Sequence, residues 1–276
     1  MGDVKMTLQQ QIEKMSKIHK NSGSKNETDH CKMCGGLGWI RHTENNKEYF
    51  SECECRKKEM QERHLKFANI PLAFQKMNLK NFDVSVYKKE ESRRKIHLVY
   101  KCVIKYIEHF SEEYDKGRGL YLYSSIKGSG KTRMAASIGN ELIHMGYQVK
   151  FAGSMNIVQE IKKSWDKDNQ LSESKLLDQL SDVEILIIDD FGTEKRQDNQ
   201  DWWINNRFYQ IVNERYESKK VTIYTSNFLL KNIGYDERIK NRIREMTFQI
   251  PFPEESIREN IARENYTELY HRVIEK

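Results

Sequence analysis

The sequence predicts an α/β domain with a central, mainly parallel sheet flanked by helices, preceded by a small N-terminal metal-binding module. Three observations carry that reading. Short apolar runs alternate with helix-periodic segments from residue 119 onward; one run leads directly into a Gly-Ser-Gly-Lys-Thr loop; and four of the five cysteines form two close pairs near the start of the chain. Strands that alternate with helices in this way pair in parallel, because each crossover helix returns the chain to the same edge direction.

A chain of 276 residues can build one sizeable core and a smaller appendage. No apolar run is long enough to span a bilayer, and "MGDVKMTLQQQIEKMSK" has no continuous apolar segment of the secretory kind, so a cytoplasmic protein is expected. The net charge is 47 − 41 = +6. That excess suits a phosphate-rich partner and a plain solvated surface equally well.

Along the chain, Leu8, Ile12, Met15 and Ile18 make a narrow helical stripe, and "NSGSKNETD" then breaks it. Residues 30–56 hold the cysteine pairs. "ANIPLAFQKMNLKNFDV" is an irregular connection in which Phe74, Leu79 and Phe82 offer apolar anchors. From Val86 to Tyr114 the apolar positions Ile96, Val99, Val103, Ile107 and Phe110 predict one long amphipathic helix, with Cys102 in its core. "GLYLYS", "YQVKFA", "VEILIID", "VTIYTS" and "TFQIPF" read as strands; helices are expected from near Lys131, Ser154, Asn199 and Asp236. The resulting layout is an N-terminal region at 1–67, a connecting segment at 68–85 and the α/β domain at 86–276.

Residues 125–132 match the phosphate-binding pattern G-x-x-x-x-G-K-[ST] except at the first position, which is Ser125. A Cβ there is costly only if the turn needs a left-handed backbone. Gly128, Ser129 and Gly130 follow, where backbone must approach phosphates. The loop sits between a strand and a helix, so backbone N–H groups at the helix start would face an anion. Lys131 would reach the β and γ phosphates of ATP, and Thr132 would bind magnesium. Downstream, "EILIIDD" delivers Asp189 and Asp190 from the end of a buried strand, where α/β sheets bind ligands. Asp189 is the expected second magnesium ligand, and Asp190 the group that orients or activates water. "VTIYTSN" ends in Asn227, suited to positioning that water, and "DERIKNRIRE" supplies Arg238, Arg242 and Arg244.

The order of these elements, with "IPLAFQKMNLKNF" and "CxxCGGxGW", resembles the AAA+ ATPases of the DnaC/DnaI helicase-loader group along essentially the whole chain. The resemblance implies that Lys131 and Thr132 are Walker A, Asp189 and Asp190 Walker B, Asn227 the first sensor, Arg242 an arginine finger and Arg258 the second sensor. It further implies an ATP hydrolase that binds a hexameric replicative helicase through its N-terminal region and single-stranded DNA through its ATPase domain, with ATP governing assembly and release. An arginine acting on a neighbouring subunit implies self-association in the ATP state or on the helicase.

Cys31 and Cys34 (C-x2-C), then Cys53 and Cys55 (C-x-C), suit a tetrahedral structural zinc site. His30 or His42 is open as a substitute ligand. Basic residues Arg56, Lys57, Lys58, Arg63 and Lys66 are interrupted by acids and fit a solvated helix as well as a DNA track. Trp202 and Trp203 offer stacking surfaces for DNA, at least one of them packing on the sheet. Two other functional classes stand beside the loader: a transposition helper ATPase of the IstB type, and a non-hydrolysing adaptor or inhibitor that binds a helicase.

Overall fold

The computed structural model describes residues 31–44, 47–165, 172–194 and 201–274. The stripe Leu8, Ile12, Met15 and Ile18, and His30, lie outside the described residues. The chain divides into two compact units, residues 1–63 and 64–276.

In the first unit, strands β1 (Trp39–Glu44) and β2 (Lys47–Glu52) form an antiparallel hairpin, and helix α1 (Glu54–Ala68) begins just after it. Arg56 lies 4.5 Å over the Trp39 ring, so a cation–π contact ties the helix start to the hairpin. Arg63 pairs with Glu59 at the helix surface, as in a solvated helix.

The second unit opens with α2 (Glu90–Glu108) and α3 (Phe110–Asp115). The long helix expected from Val86 to Tyr114 is therefore shorter and broken. Its start is displaced because the Glu255 carboxylate takes the N–H groups of Lys88 (2.8 Å) and Lys89 (3.2 Å), leaving Lys89 extended as the N-cap. His109, at φ −105° and ψ 19°, separates the two helices. Cys102 is exposed, not core, because it lies off the Ile96, Val99 and Val103 stripe.

The sheet follows: β3 (Gly119–Tyr123), α4 (Lys131–His144), β4 (Val149–Gly153), α5 (Ser154–Lys163), α6 (Glu173–Asp182), β5 (Ile185–Asp189), α7 (Asp201–Glu217), β6 (Val221–Ser226), α8 (Glu237–Met246), β7 (Thr247–Pro251) and α9 (Ile257–Ile274). The strand order is β4-β5-β6-β3-β7, and every pairing is parallel. All five expected strands form; α6 and α9 are helices that periodicity did not single out.

Side chains alternate across a strand, so β5 serves two cores at once. Ile185 and Ile187 pack with α2 and α4 on one face of the sheet. Leu186 and Ile188 join Phe208, Ile211 and Val212 of α7 on the other. That double burial is why "ILII" reads as an unbroken apolar run. Trp203 is partly buried against the second core and meets Trp165 edge to face at 5.1 Å, whereas Trp202 is exposed. The parallel arrangement brings the C-terminal ends of β3, β5 and β6 to one side, where the polar residues expected to act are found.

Candidate nucleotide site

The loop after β3 is built for close approach. Gly128 has φ +79° and Gly130 φ +95°. A Cβ on Gly128 would lie 3.2 Å from the Arg258 side chain, and one on Gly130 would lie 2.7 Å from the Tyr87 hydroxyl. Ser125 is outside the left-handed region, so its side chain imposes no backbone strain. Its N–H and hydroxyl both donate to the Glu254 carboxylate. The departure from the glycine pattern is therefore accommodated by conformation.

Lys131 is buried, and its ammonium donates to Ser124 O (3.2 Å), Ile126 O (3.1 Å) and Ser129 Oγ (3.2 Å). Three oxygens satisfy its three donors in a curled loop that encircles the charge. Burial lowers the Lys131 pKa, Asp190, Glu254 and Asp189 act in the opposite direction, and Arg258 lowers it further. Those four groups thus lie within electrostatic reach of the ammonium. Gly130 caps α4, and the first intrahelical bond runs from Met134 N to Gly130 O. The N–H groups of the first turn have no intrahelical acceptor and can meet an anion.

Asp189 ends β5 and accepts a 2.6 Å hydrogen bond from Thr225 Oγ1. Burial raises its pKa and the Asp190 charge adds to that, while the Thr225 bond and the Thr132 hydroxyl act against it. The Thr132 hydroxyl is thus near enough to act on the Asp189 carboxylate, as a shared cation site needs. Asp190 has φ +55°, its N–H donates to Thr225 Oγ1 at 2.9 Å, and its carbonyl accepts from Ser154 Oγ (2.9 Å) and Thr193 Oγ1 (2.8 Å).

Asn227 follows directly after Ser226, which pairs with Tyr123 at the end of β3, so it sits beside the loop entrance. Arg258 opens α9, next to Ile257, whose N–H donates to Gly128 O at 2.9 Å. Arg242 has a different setting. It stacks on Tyr209 (5.1 Å) and Tyr216 (5.5 Å) of α7 and bonds Arg238 O, so its contacts lie on α7 and α8 and not on the loop. Sequence reading passed over Tyr87, Thr225, Glu254 and Glu194. Only Thr225 left a trace, as a hydroxyl in the polar end of the β6 strand.

In the first unit the sulfurs of Cys31, Cys34, Cys53 and Cys55 lie within 4.8 Å of one another. A tetrahedral zinc with bonds of about 2.3 Å sets its sulfurs about 3.8 Å apart, so the four fit such an ion. Gly38 N donates to Cys34 Sγ at 3.3 Å, a support for a thiolate. Burial opposes ionisation of Cys34, but bonds from Cys55 and Gly38 bring it down to about 6, and the Cys34 contact pushes Cys55 up to about 12. His42 is turned away: it bonds Ser51 Oγ at 2.7 Å and stacks on Tyr49.

The family model described as "IstB-like ATP binding protein" matches residues 50–236, more than half of the chain. The chain belongs to that family. It is 29% identical over 150 residues to the replicative helicase loader DnaC of Buchnera aphidicola subsp. Baizongia pistaciae (strain Bp), covering 54% of this chain and 59% of that protein. To DnaC of Escherichia coli (strain K12) it is 31% identical over 137 residues, covering 49% and 54%. The chain thus spans little more than half the length of these curated relatives. The crystal structure of DnaI is similar at a TM-score of 0.51 and 26% identity, covering 71% of this chain and 99% of that one. The AAA+ P-loop fold and the ATP-binding family expected from the loop are both borne out. Among the described residues no helix is long and apolar enough to cross a membrane.

Proposed function

We propose that this chain is an ATP-dependent loader that places a hexameric replicative DNA helicase on single-stranded DNA, with ATP binding and slow hydrolysis controlling assembly and release. The observation that carries the reading is the identity of 29–31% to replicative helicase loaders in a chain whose phosphate loop is fully formed. In this reading Gly128, Ser129 and Gly130 cradle the phosphates with backbone N–H groups, and Lys131 exchanges its loop oxygens for those of the β and γ phosphates. Thr132 and Asp189 hold magnesium, whose role is to neutralise phosphate charge. Asp190 accepts a proton from water, Asn227 orients that water, and Arg258 reads the nucleotide from the start of α9. Arg242 acts on the nucleotide of a neighbouring copy, consistent with its place away from its own loop. Zinc on the four cysteines holds the hairpin of an N-terminal region (1–67) that contacts the helicase, and the 86–276 domain carries the ATPase and the DNA contact. The setting is the cytoplasm.

Light scattering on a sizing column, with the cognate helicase and either ATP or ADP, tests this. A helicase-containing complex whose mass depends on nucleotide is expected; an intact helicase that forms no complex with either nucleotide would refute it. The family's IstB-like description favours a second reading, a transposition helper, for which a transposase replaces the helicase in the same experiment. Arg242→Ala should abolish ATP-driven assembly and turnover while ATP affinity is kept.

A further inference from the structure

Glu194 is a buried acid for which the loader reading has no task. It lies at the end of the turn that follows β5, and it is 5% exposed. Both carboxylate oxygens accept from the Gly192 N–H, at 3.1 and 2.9 Å. The Tyr235 hydroxyl donates to Oε1. Burying a carboxylate without such donors is costly, so this arrangement demands a reason.

The reason lies in what the turn carries. Asp190, at its start, holds the unfavourable left-handed backbone conformation at φ +55°. Ser154 Oγ donates to Asp190 O from the start of α5, and Thr193 Oγ1 donates to the same oxygen from within the turn. Gly192, at φ +95°, is pressed under Ile233: a Cβ there would meet Ile233 Cδ1 at 2.7 Å. Phe191 stacks on Tyr235 at 4.9 Å with the rings 8° from parallel. Residues 190–194 are thus bound at several points to the start of α5 and to the segment before α8.

We propose that Glu194 is a positioning residue for ATP hydrolysis: by binding Gly192 and Tyr235 it locks the 190–194 turn so that Asp190 keeps its place at the end of β5. The inference rests on the reading of the site as an ATP hydrolase. Because Tyr235 directly precedes Asp236, the N-cap of α8, the same bonds join the Asp190 turn to the helix that carries Arg242. Glu194 touches neither phosphate nor water in this scheme; it acts through Asp190.

The test compares wild-type protein with Glu194→Ala, Glu194→Gln and Tyr235→Phe, measuring turnover with Mg-ATP, equilibrium binding of a fluorescent ATP analogue and melting temperature. Glu194→Ala should lower kcat by about 10²-fold, the loss expected for a misplaced reacting group, with nucleotide affinity held within about threefold. Glu194→Gln should recover most of kcat, since the amide oxygen still accepts from Gly192 and Tyr235. Tyr235→Phe, which keeps the aromatic packing, should give an intermediate loss. Equal losses in affinity and kcat, or an unchanged kcat in both Glu194→Ala and Tyr235→Phe, would overturn the proposal. A wild-type protein that binds ATP but never hydrolyses it, with or without DNA and helicase, would instead overturn the hydrolase reading on which it rests.

Discussion

Replacing Gly130 by alanine tests whether the curled loop is the nucleotide-binding conformation. At φ +95° an alanine costs about 1–2 kcal/mol from backbone sterics alone. Its Cβ would stand 2.7 Å from the Tyr87 hydroxyl, which must move. Tyr87 is fully buried and donates to Ser129 O at 2.8 Å, so that movement forfeits a hydrogen bond worth about 1 kcal/mol. The sum is about 2–3 kcal/mol, by adding the two contributions. A free loop can relax out of the strain, but binding must restore the curl, so ATP affinity should fall by about 30- to 150-fold. Gly146→Ala is the matched control, because Gly146 has φ +100° and open space around a Cβ. It should lower melting by a few degrees, roughly 2–4 °C per kcal/mol in a domain of this size, and leave affinity untouched. Titration with a fluorescent ATP analogue and a thermal melt on both variants suffice. Wild-type affinity in Gly130→Ala, or an equal loss in Gly146→Ala, would refute the reasoning.

Other outcomes follow from the same geometry. Ser125→Gly should change ATP affinity by no more than about threefold, because Ser125 is unstrained and loses only an exposed hydrogen bond to Glu254; a gain above tenfold would show that the serine impairs the loop. Elemental analysis should find one zinc per chain, and a thiol reagent should titrate the exposed Cys102 alone until a chelator releases the other four cysteines; four fast thiols before chelation would exclude the site. Burial holds the Glu194 acid above its ordinary value of 4.5, with the Tyr235 bond only partly offsetting it. A raised folded-state value favours the fold below that ordinary value, and the advantage is lost as pH rises through the folded one. Denaturation across pH 4.5 to 8 should therefore show Glu194→Gln gaining stability relative to wild type as pH climbs, and a flat difference would contradict the assignment.

The nucleotide loop, the acidic strand end and the cysteine pairs were legible in the chain because each is local. A phosphate is gripped by consecutive backbone groups, a strand buried on both faces must be apolar at consecutive positions, and a metal knuckle needs its cysteines a few residues apart. Parallel pairing of the strands followed from the alternation of apolar runs with helical ones. Tertiary structure alone decided the rest, because it depends on partners far apart in sequence. Thr225 holds Asp189 from 36 residues away, Tyr235 reaches Glu194 across 41, and Ser125 meets Glu254 across 129. Helical periodicity ran on through His109 and back to Val86, but the backbone break and the Glu255 carboxylate, a long-range competitor for helix-start N–H groups, set the real ends. Whether serine could stand for the first glycine of the loop was likewise a question of φ, and φ at one residue is fixed by the whole fold around it. Residue types and their spacing specify which chemistry a chain can hold; the packing of distant segments specifies which groups are held still enough to perform it.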